Sequence, residues 1–168
     1  MRADERQQTE FLEMLRQCEG TLLKVCLYFT DRRRESVRDL YQEIACVLWE
    51  SWPKYRGESK LNTWVTGIAL NVAGQELRKR NKAPLFVELD ESLCDTLADE
   101  QGDSLYRRLY RLIDRLGNDG DRKLLFLYLD GKSNHEIAGL TGLTVVSVKK
   151  RLHRIKIKLK ELNTQEDE

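Results

Sequence analysis

The chain of 168 residues predicts an all-α fold: two small helical domains joined by an acidic linker, the C-terminal one a helix-turn-helix. Three observations predict it. Apolar residues recur every three or four positions over most of the length, the period of helices that bury one face. Only 2 Pro and 10 Gly interrupt that period, too few for the turns of an all-β fold. Over residues 83–103 the period is lost and acids accumulate, which separates two periodic blocks. Domains are therefore expected at 1–82 and 104–168, with the linker between them.

The first helix follows from Phe11, Leu15, Cys18, Leu22, Cys26 and Phe29. Val37, Leu40, Ile44, Leu48 and Trp52 give a second, starting near Ser36 and stopped by Pro53. Leu61, Trp64, Ile68, Val72 and Leu77 give a third, which runs into Arg78, Lys79, Arg80 and Lys82 before Pro84. Gly67 and Gly74 lie seven apart on nearly one face of it. Each glycine costs about 1 kcal/mol against Ala, so another helix is expected to approach closely there.

After the linker, Leu105, Leu109, Leu112 and Leu116 restart a helix, and Gly117-Asn118-Asp119-Gly120 turns the chain. Leu124, Leu127 and Tyr128 mark a short helix closed by Asp130-Gly131. Ser133 or Asn134 caps the next, which contains Ile137, Ala138 and Leu140. Val145, Val148, Leu152, Ile155, Leu159 and Leu162 carry the last helix.

The net charge of +1 conceals a strong asymmetry. From Lys149 to Lys160 there are seven bases and no acid, and from Glu88 to Asp103 seven acids and no base. This pattern suggests a nucleic-acid face and a linker with its own task. No apolar run is longer than that from Leu124 to Leu129, far below the roughly 18 residues that span a bilayer. The polar N-terminus has no apolar signal core, so a cytoplasmic location and no membrane insertion are expected. Cys18, Cys26, Cys46 and Cys94 form no C-x-x-C pair and lie far from His135 and His153, which supports no zinc site. Cys18, Cys26 and Cys46 fall among apolar helical positions and are expected to be small buried hydrophobes. No catalytic residue, metal or cofactor is expected.

Residues 134–153 carry a helix-turn-helix pattern. Ala138 lets the second helix cross closely, Gly142 stands where positive φ is cheap only without a Cβ, and Leu143 and Val148 plug the angle. Thr144 suits the N-cap of the second helix, which presents Ser147, Lys149, Lys150, Arg151, His153 and Arg154 around its apolar stripe. A helix N-terminus with bases behind it is how such motifs enter a major groove. The competing interpretation is a helical hairpin with a merely solvated basic face.

Asp39 and Glu43, with Gln42 beside them, share a face of the second helix. They fit a two-carboxylate metal site of a nuclease, which needs a third acid or His that the sequence does not make evident, a docking surface for a basic partner, or an ordinary solvated face. Trp49, Trp52, Tyr55 and Trp64 crowd the following turn, interleaved with Lys54, Arg56 and Lys60. Rings that stack on unpaired bases, with cations for the backbone, are the makings of a single-strand site. Trp49 and Trp64 are expected to be mostly core.

At these residues the chain resembles the extracytoplasmic-function sigma factors of bacterial RNA polymerase. The run Asp39-Leu40-Tyr41-Gln42-Glu43, then Trp49, Tyr55-Arg56-Gly57-Glu58-Ser59, Thr63-Trp64, Ile68-Ala69-Leu70-Asn71 and Arg78-Lys79-Arg80 is similar to that family's region two. Glu136-Ile137-Ala138, Gly142-Leu143, Val148-Lys149 and Arg151-Leu152-His153-Arg154 are similar to its region four. The resemblance covers roughly residues 8–162.

The resemblance implies a non-enzymatic subunit that recruits core polymerase, recognises promoter DNA and melts it. Asp39, Gln42 and Glu43 would dock on the largest polymerase subunit. Lys54, Tyr55, Arg56, Ser59, Lys60 and Asn62 would capture a flipped base of the minus-ten element, with Asn71, Arg78, Lys79 and Arg80 on nearby phosphates. Thr144, Ser147, Lys149, Lys150, Arg151, His153 and Arg154 would read the minus-thirty-five element. The acidic linker would thread a positively charged polymerase channel, and the second-largest subunit and an anti-sigma factor are further implied partners. The alternative is a stand-alone helix-turn-helix regulator that never binds polymerase.

Overall fold

A computed structural model describes residues 3–81 and 102–167, with side chains over 3–80 and 108–167. All regular structure among the described residues is helical. The chain divides into two compact units, Met1–Asp90 and Glu91–Glu168. Residues 83–101 of the expected linker lie outside the described residues. Its last two positions, Gly102 and Asp103, are already helical.

The first unit holds α1 (Ala3–Phe29), α2 (Arg34–Ser51), a short 3-10 turn (Trp52–Lys54) and α3 (Leu61–Asn81). Helix α1 buries Phe11, Met14, Cys18, Leu22, Val25 and Phe29 along one stripe. Leu40, Ile44 and Leu48 are the buried stripe of α2. The connection between them is held by side chains. Thr30 Oγ1 donates to the Cys26 carbonyl at 2.7 Å and accepts from the Arg32 amide at 3.1 Å. Asp31 accepts from the Arg33 amide at 3.1 Å, and α2 begins at Arg34, two residues before the expected Ser36.

Helix α3 departs from the expected stripe. Trp64 and Ile68 are only half-buried, whereas Val65, Ala69 and Ala73 are fully enclosed. The reason is that α3 packs on both α1 and α2, so its apolar surface wraps around the helix. The small residues Ala69 and Ala73 let the neighbours come close, and Gly74 is buried among them. At its end Arg80 Nη2 donates to the Phe29 carbonyl at 2.9 Å, satisfying one of the acceptors left open where α1 stops.

The second unit holds α4 (Gly102–Asp114), α5 (Asp119–Leu129), α6 (Asn134–Thr141) and α7 (Val145–Asp167). Each of the three later helices starts on a capping side chain. Asn118 Oδ1 accepts from the Gly120 amide at 2.9 Å. Ser133 and Glu136 form a reciprocal capping box, with bonds of 3.2 and 2.7 Å. Thr144 Oγ1 accepts from the Ser147 amide at 3.1 Å. Gly142 ends α6 at φ 72°, the left-handed conformation that the motif requires.

Ile113, Leu116, Leu124, Leu127, Ile137 and Val148 form the centre of this unit. Arg122 is buried and pairs with Asp114 at 3.2 Å across the α4–α5 turn. Arg108 binds Asn163 at 2.7 Å and also Asp167, which ties α4 to the end of α7. Leu159 and Leu162 are only half-buried. Tyr128, counted with the apolar residues of α5, is exposed and carries Lys156 Nζ at 4.2 Å from its ring centroid.

Candidate functional site

Three surfaces bring together the residues singled out in the sequence. On α2, Asp39, Gln42 and Glu43 are all exposed, because the buried stripe of Leu40, Ile44 and Leu48 turns them outward. Asp39 and Glu43 line a shallow cavity of about 190 Å³ with Ser36, Leu40, Glu76 and Arg80. Glu76 thus supplies a third carboxylate that no local pattern could reveal, because it comes from α3. Arg80 lies beside these acids, and no group of His, Cys, Asp or Glu among the described residues is arranged to hold a metal ion.

Cys46 extends the same face. It was expected to be buried, and it is exposed. It lies seven residues after Asp39, two helical turns along the outer side of α2, so the helix that exposes one exposes both. Cys18 and Cys26 are buried, as their place in the α1 stripe requires, and burial pushes the Cys26 thiol up to about 12.

The second surface is the turn after α2. Trp52 stacks on Tyr55, with ring centroids 5.7 Å apart and planes at 17°. Tyr55 leans on Trp64 at 4.9 Å and donates its hydroxyl to the Ser59 carbonyl at 2.8 Å. The rings therefore build the turn by packing on one another. Trp49 and Trp64 correct the expectation that both are mostly core. Trp49 is 36% exposed, meeting Phe11 edge-on at 5.0 Å, because it stands one position beyond Leu48 and so off the buried stripe. Trp64 is half-buried because it props the turn and faces Tyr55 and Trp52.

Lys54, Arg56, Ser59 and Lys60 are exposed around this turn, with Gly57 at φ 74°. Asn62 accepts from Thr21 Oγ1 at 2.8 Å, so its carbonyl oxygen is occupied within the fold. Asn71, Arg78 and Lys79 are exposed along α3, with Lys79 paired to Glu76 at 3.0 Å, whereas Arg80 serves α1 as described. An open cavity of about 620 Å³ adjoins the turn, lined by Trp52, Pro53 and Tyr55 and by Ala3, Arg6, Gln7 and Glu10 of α1. These α1 residues are not singled out by the sequence, since nothing in their own segment signals that α1 begins beside the aromatic turn.

The third surface is α7. Val148, Leu152 and Ile155 are buried, so Lys149, Lys150, His153 and Arg154 point to solvent. Thr144 and Ser147 are engaged in the cap, their hydroxyls 2.9 Å apart. Arg151 is half-buried on the flank nearest α5. The two valines that open α7 differ: Val145 is half-buried, and Val146 is 61% exposed.

Comparison with known proteins accounts for both units. Residues 14–83 match the family described as Sigma-70 region 2, and residues 106–159 match Sigma-70, region 4. The RNA polymerase sigma factor HrpL of Pseudomonas syringae pv. syringae is 27% identical over 158 residues, covering 88% of this chain and 85% of that protein. The probable RNA polymerase sigma factor RfaY of Xanthomonas campestris pv. campestris is 26% identical over 82% of this chain, which spans only 36% of that relative's length. Among solved structures, the sigma factor RpoE in complex with the anti-sigma factor NepR from Bartonella quintana aligns with a TM-score of 0.66 at 17% identity, covering 92% of this chain and 97% of that one. With region 2 on the first helical unit and region 4 on the second, the chain belongs to the sigma-70 family of RNA polymerase sigma factors.

Proposed function

We propose that this chain is a promoter-specificity subunit that recruits core RNA polymerase, recognises two promoter elements and opens the DNA. The observation that carries the reading is the pairing in one chain of region 2 and region 4. Each region has its own exposed polar surface, acidic on α2 and basic on α7.

Asp39, Gln42 and Glu43 dock on a basic surface of the largest polymerase subunit. Their exposure supports this role, as does the absence of a packing task for any of them. The turn from Lys54 to Asn62 receives an unstacked base of the minus-ten element. Its aromatic scaffold is rigidly packed and ringed by exposed Lys54, Arg56 and Lys60, which suits a backbone held by cations. Asn71, Arg78 and Lys79 hold phosphates nearby. Tyr55, Asn62 and Arg80 shape the site, since each is half-buried and bonded inside the unit, whereas Lys79, though paired with Glu76, is exposed. Helix α7 enters the major groove of the minus-thirty-five element through its capped N-terminus, with Lys149, Lys150, His153 and Arg154 outward.

The acidic segment at 83–103 lies in the polymerase's positive channel and contacts the second-largest subunit. An anti-sigma protein holds the chain inactive until a signal releases it. Activity at core polymerase places the protein in the cytoplasm, and no helix among the described residues is long and apolar enough to cross a membrane.

In-vitro transcription with core polymerase and a genomic promoter library tests the proposal. Defined start sites that depend on this chain are the expected result. Sequence-specific DNA binding without retention on core polymerase in a pull-down would establish the stand-alone regulator instead.

A further inference from the structure

We infer that Val146 reads the 5-methyl group of one thymine in the upstream promoter element, so that this position is set by an apolar contact. The inference rests on the proposal that α7 enters the major groove. Helix α7 opens with Val145-Val146-Ser147-Val148, and these residues have different surroundings. Val148 is fully buried and Val145 half-buried, so the core contacts at this end of the helix are already supplied. Val146 is 61% exposed, the largest value among the exposed large apolar side chains of the described residues.

Its neighbours on the surface are polar. Positions 146, 149, 150 and 153 follow the spacing of one helix face, and Lys149, Lys150 and His153 are all exposed there. Val146 is therefore an apolar side chain on a basic face, in the first turn of the helix, beside the Thr144 cap. A β-branched residue gains nothing in helix propensity at such a position. The N-terminal residues of a groove-bound recognition helix are the ones that reach base edges.

The chemistry of the groove then selects the ligand. Major-groove edges of base pairs present hydrogen-bond donors and acceptors, and the thymine methyl is their one apolar group. A valine can neither donate nor accept, so only that methyl rewards its presence. Lys149 and Lys150, three and four residues on, are placed to hold the flanking backbone while the valine meets the base.

The test uses the full chain bound to core polymerase. Duplex fragments enriched from a random library by this complex are resynthesised with uracil in place of thymine, one position at a time, which removes only the methyl group. The expected result is one position of the upstream element at which uracil weakens wild-type binding about fourfold, the effect of withdrawing one buried methyl-sized group. Val146→Ser, at an exposed site, keeps the fold and loses the sensitivity at that position alone, and Val146→Thr, which retains a methyl, keeps it.

Uracil tolerated at every position, an enriched element without A·T pairs, or undiminished sensitivity in Val146→Ser would overturn the inference while leaving the promoter-binding proposal standing. A selection that enriches no sequence would overturn both.

Discussion

Replacing Gly142 by Ala tests how the helix-turn-helix is held. Gly142 sits at φ 72° and ψ 9°, between the capped ends of α6 and α7. A Cβ built there meets no heavy atom within 4 Å, so the substitution brings no clash. The penalty is conformational: an L-residue in the left-handed region costs roughly 1–2 kcal/mol. Part is offset because Ala restricts the unfolded chain, by about 0.4–1 kcal/mol. The net expectation is a loss of about 1 kcal/mol from the second unit. For a unit of this size that lowers the midpoint by about 4–8 °C. Asn tolerates positive φ better than Ala, so Gly142→Asn should lose less although its side chain is larger. The assay separates the units, because all three tryptophans, Trp49, Trp52 and Trp64, lie in the first. Far-UV circular dichroism follows both melts, and tryptophan fluorescence follows only the first. A fluorescence midpoint that moves with Gly142→Ala, or an Asn variant less stable than the Ala variant, would refute the conformational argument.

Reversing Asp39 and Glu43 to Lys should weaken retention on core polymerase while leaving helicity and the unfolding midpoint unchanged, since both side chains are exposed; pull-down and circular dichroism on the same preparation check this. The fragment 102–167 should melt cooperatively on its own in calorimetry, because its core and its Arg108 ties to Asn163 and Asp167 are internal to it. Cys46 should react with iodoacetamide in the native protein, whereas Cys18 and Cys26 should react only after unfolding, as peptide mass mapping would read.

The second unit was more legible than the first, for a physical reason. In α7 one stripe is buried and the rest is wet, so the apolar period and the face coincide, and Val148, Leu152 and Ile155 lie where the period puts them. The caps at Ser133 and Thr144 and the turn at Gly142 depend on local chemistry that neighbouring residues display. Helix α3 packs on two neighbours, so its burial spreads over Val65, Ala69 and Ala73, and the stripe through Trp64 and Ile68 misleads. Trp49 and Cys46 were misplaced because residue type suggested burial while their angle on α2 dictated exposure. Glu76 beside Asp39, and α1 beside the aromatic turn, are tertiary juxtapositions that no local pattern carries.

The basic run of α7 shows why composition alone overstates a nucleic-acid face. Its seven bases divide between the fold and the solvent. Lys156 lies over Tyr128, and Lys158 donates to the Leu116 carbonyl at 3.4 Å, an oxygen that also accepts from the Asn118 amide at 2.8 Å. Both fasten α7 to the helices it packs on. Arg151 is half-buried, with its Nη1 4.0 Å from where a Cβ on Gly120 would stand, so its charge lies near the first turn of α5. Lys149, Lys150 and Arg154 remain outward in the first three turns, and Lys160 is outward further along. Base edges are reached from the start of a recognition helix, so the residues free to read sequence are concentrated near Val146. Those that fasten the helix lie chiefly beyond Ile155. The same amphipathic helix thereby supports two functions along its length: its later turns hold it against α4 and α5, and that anchorage fixes the direction in which its first turn projects.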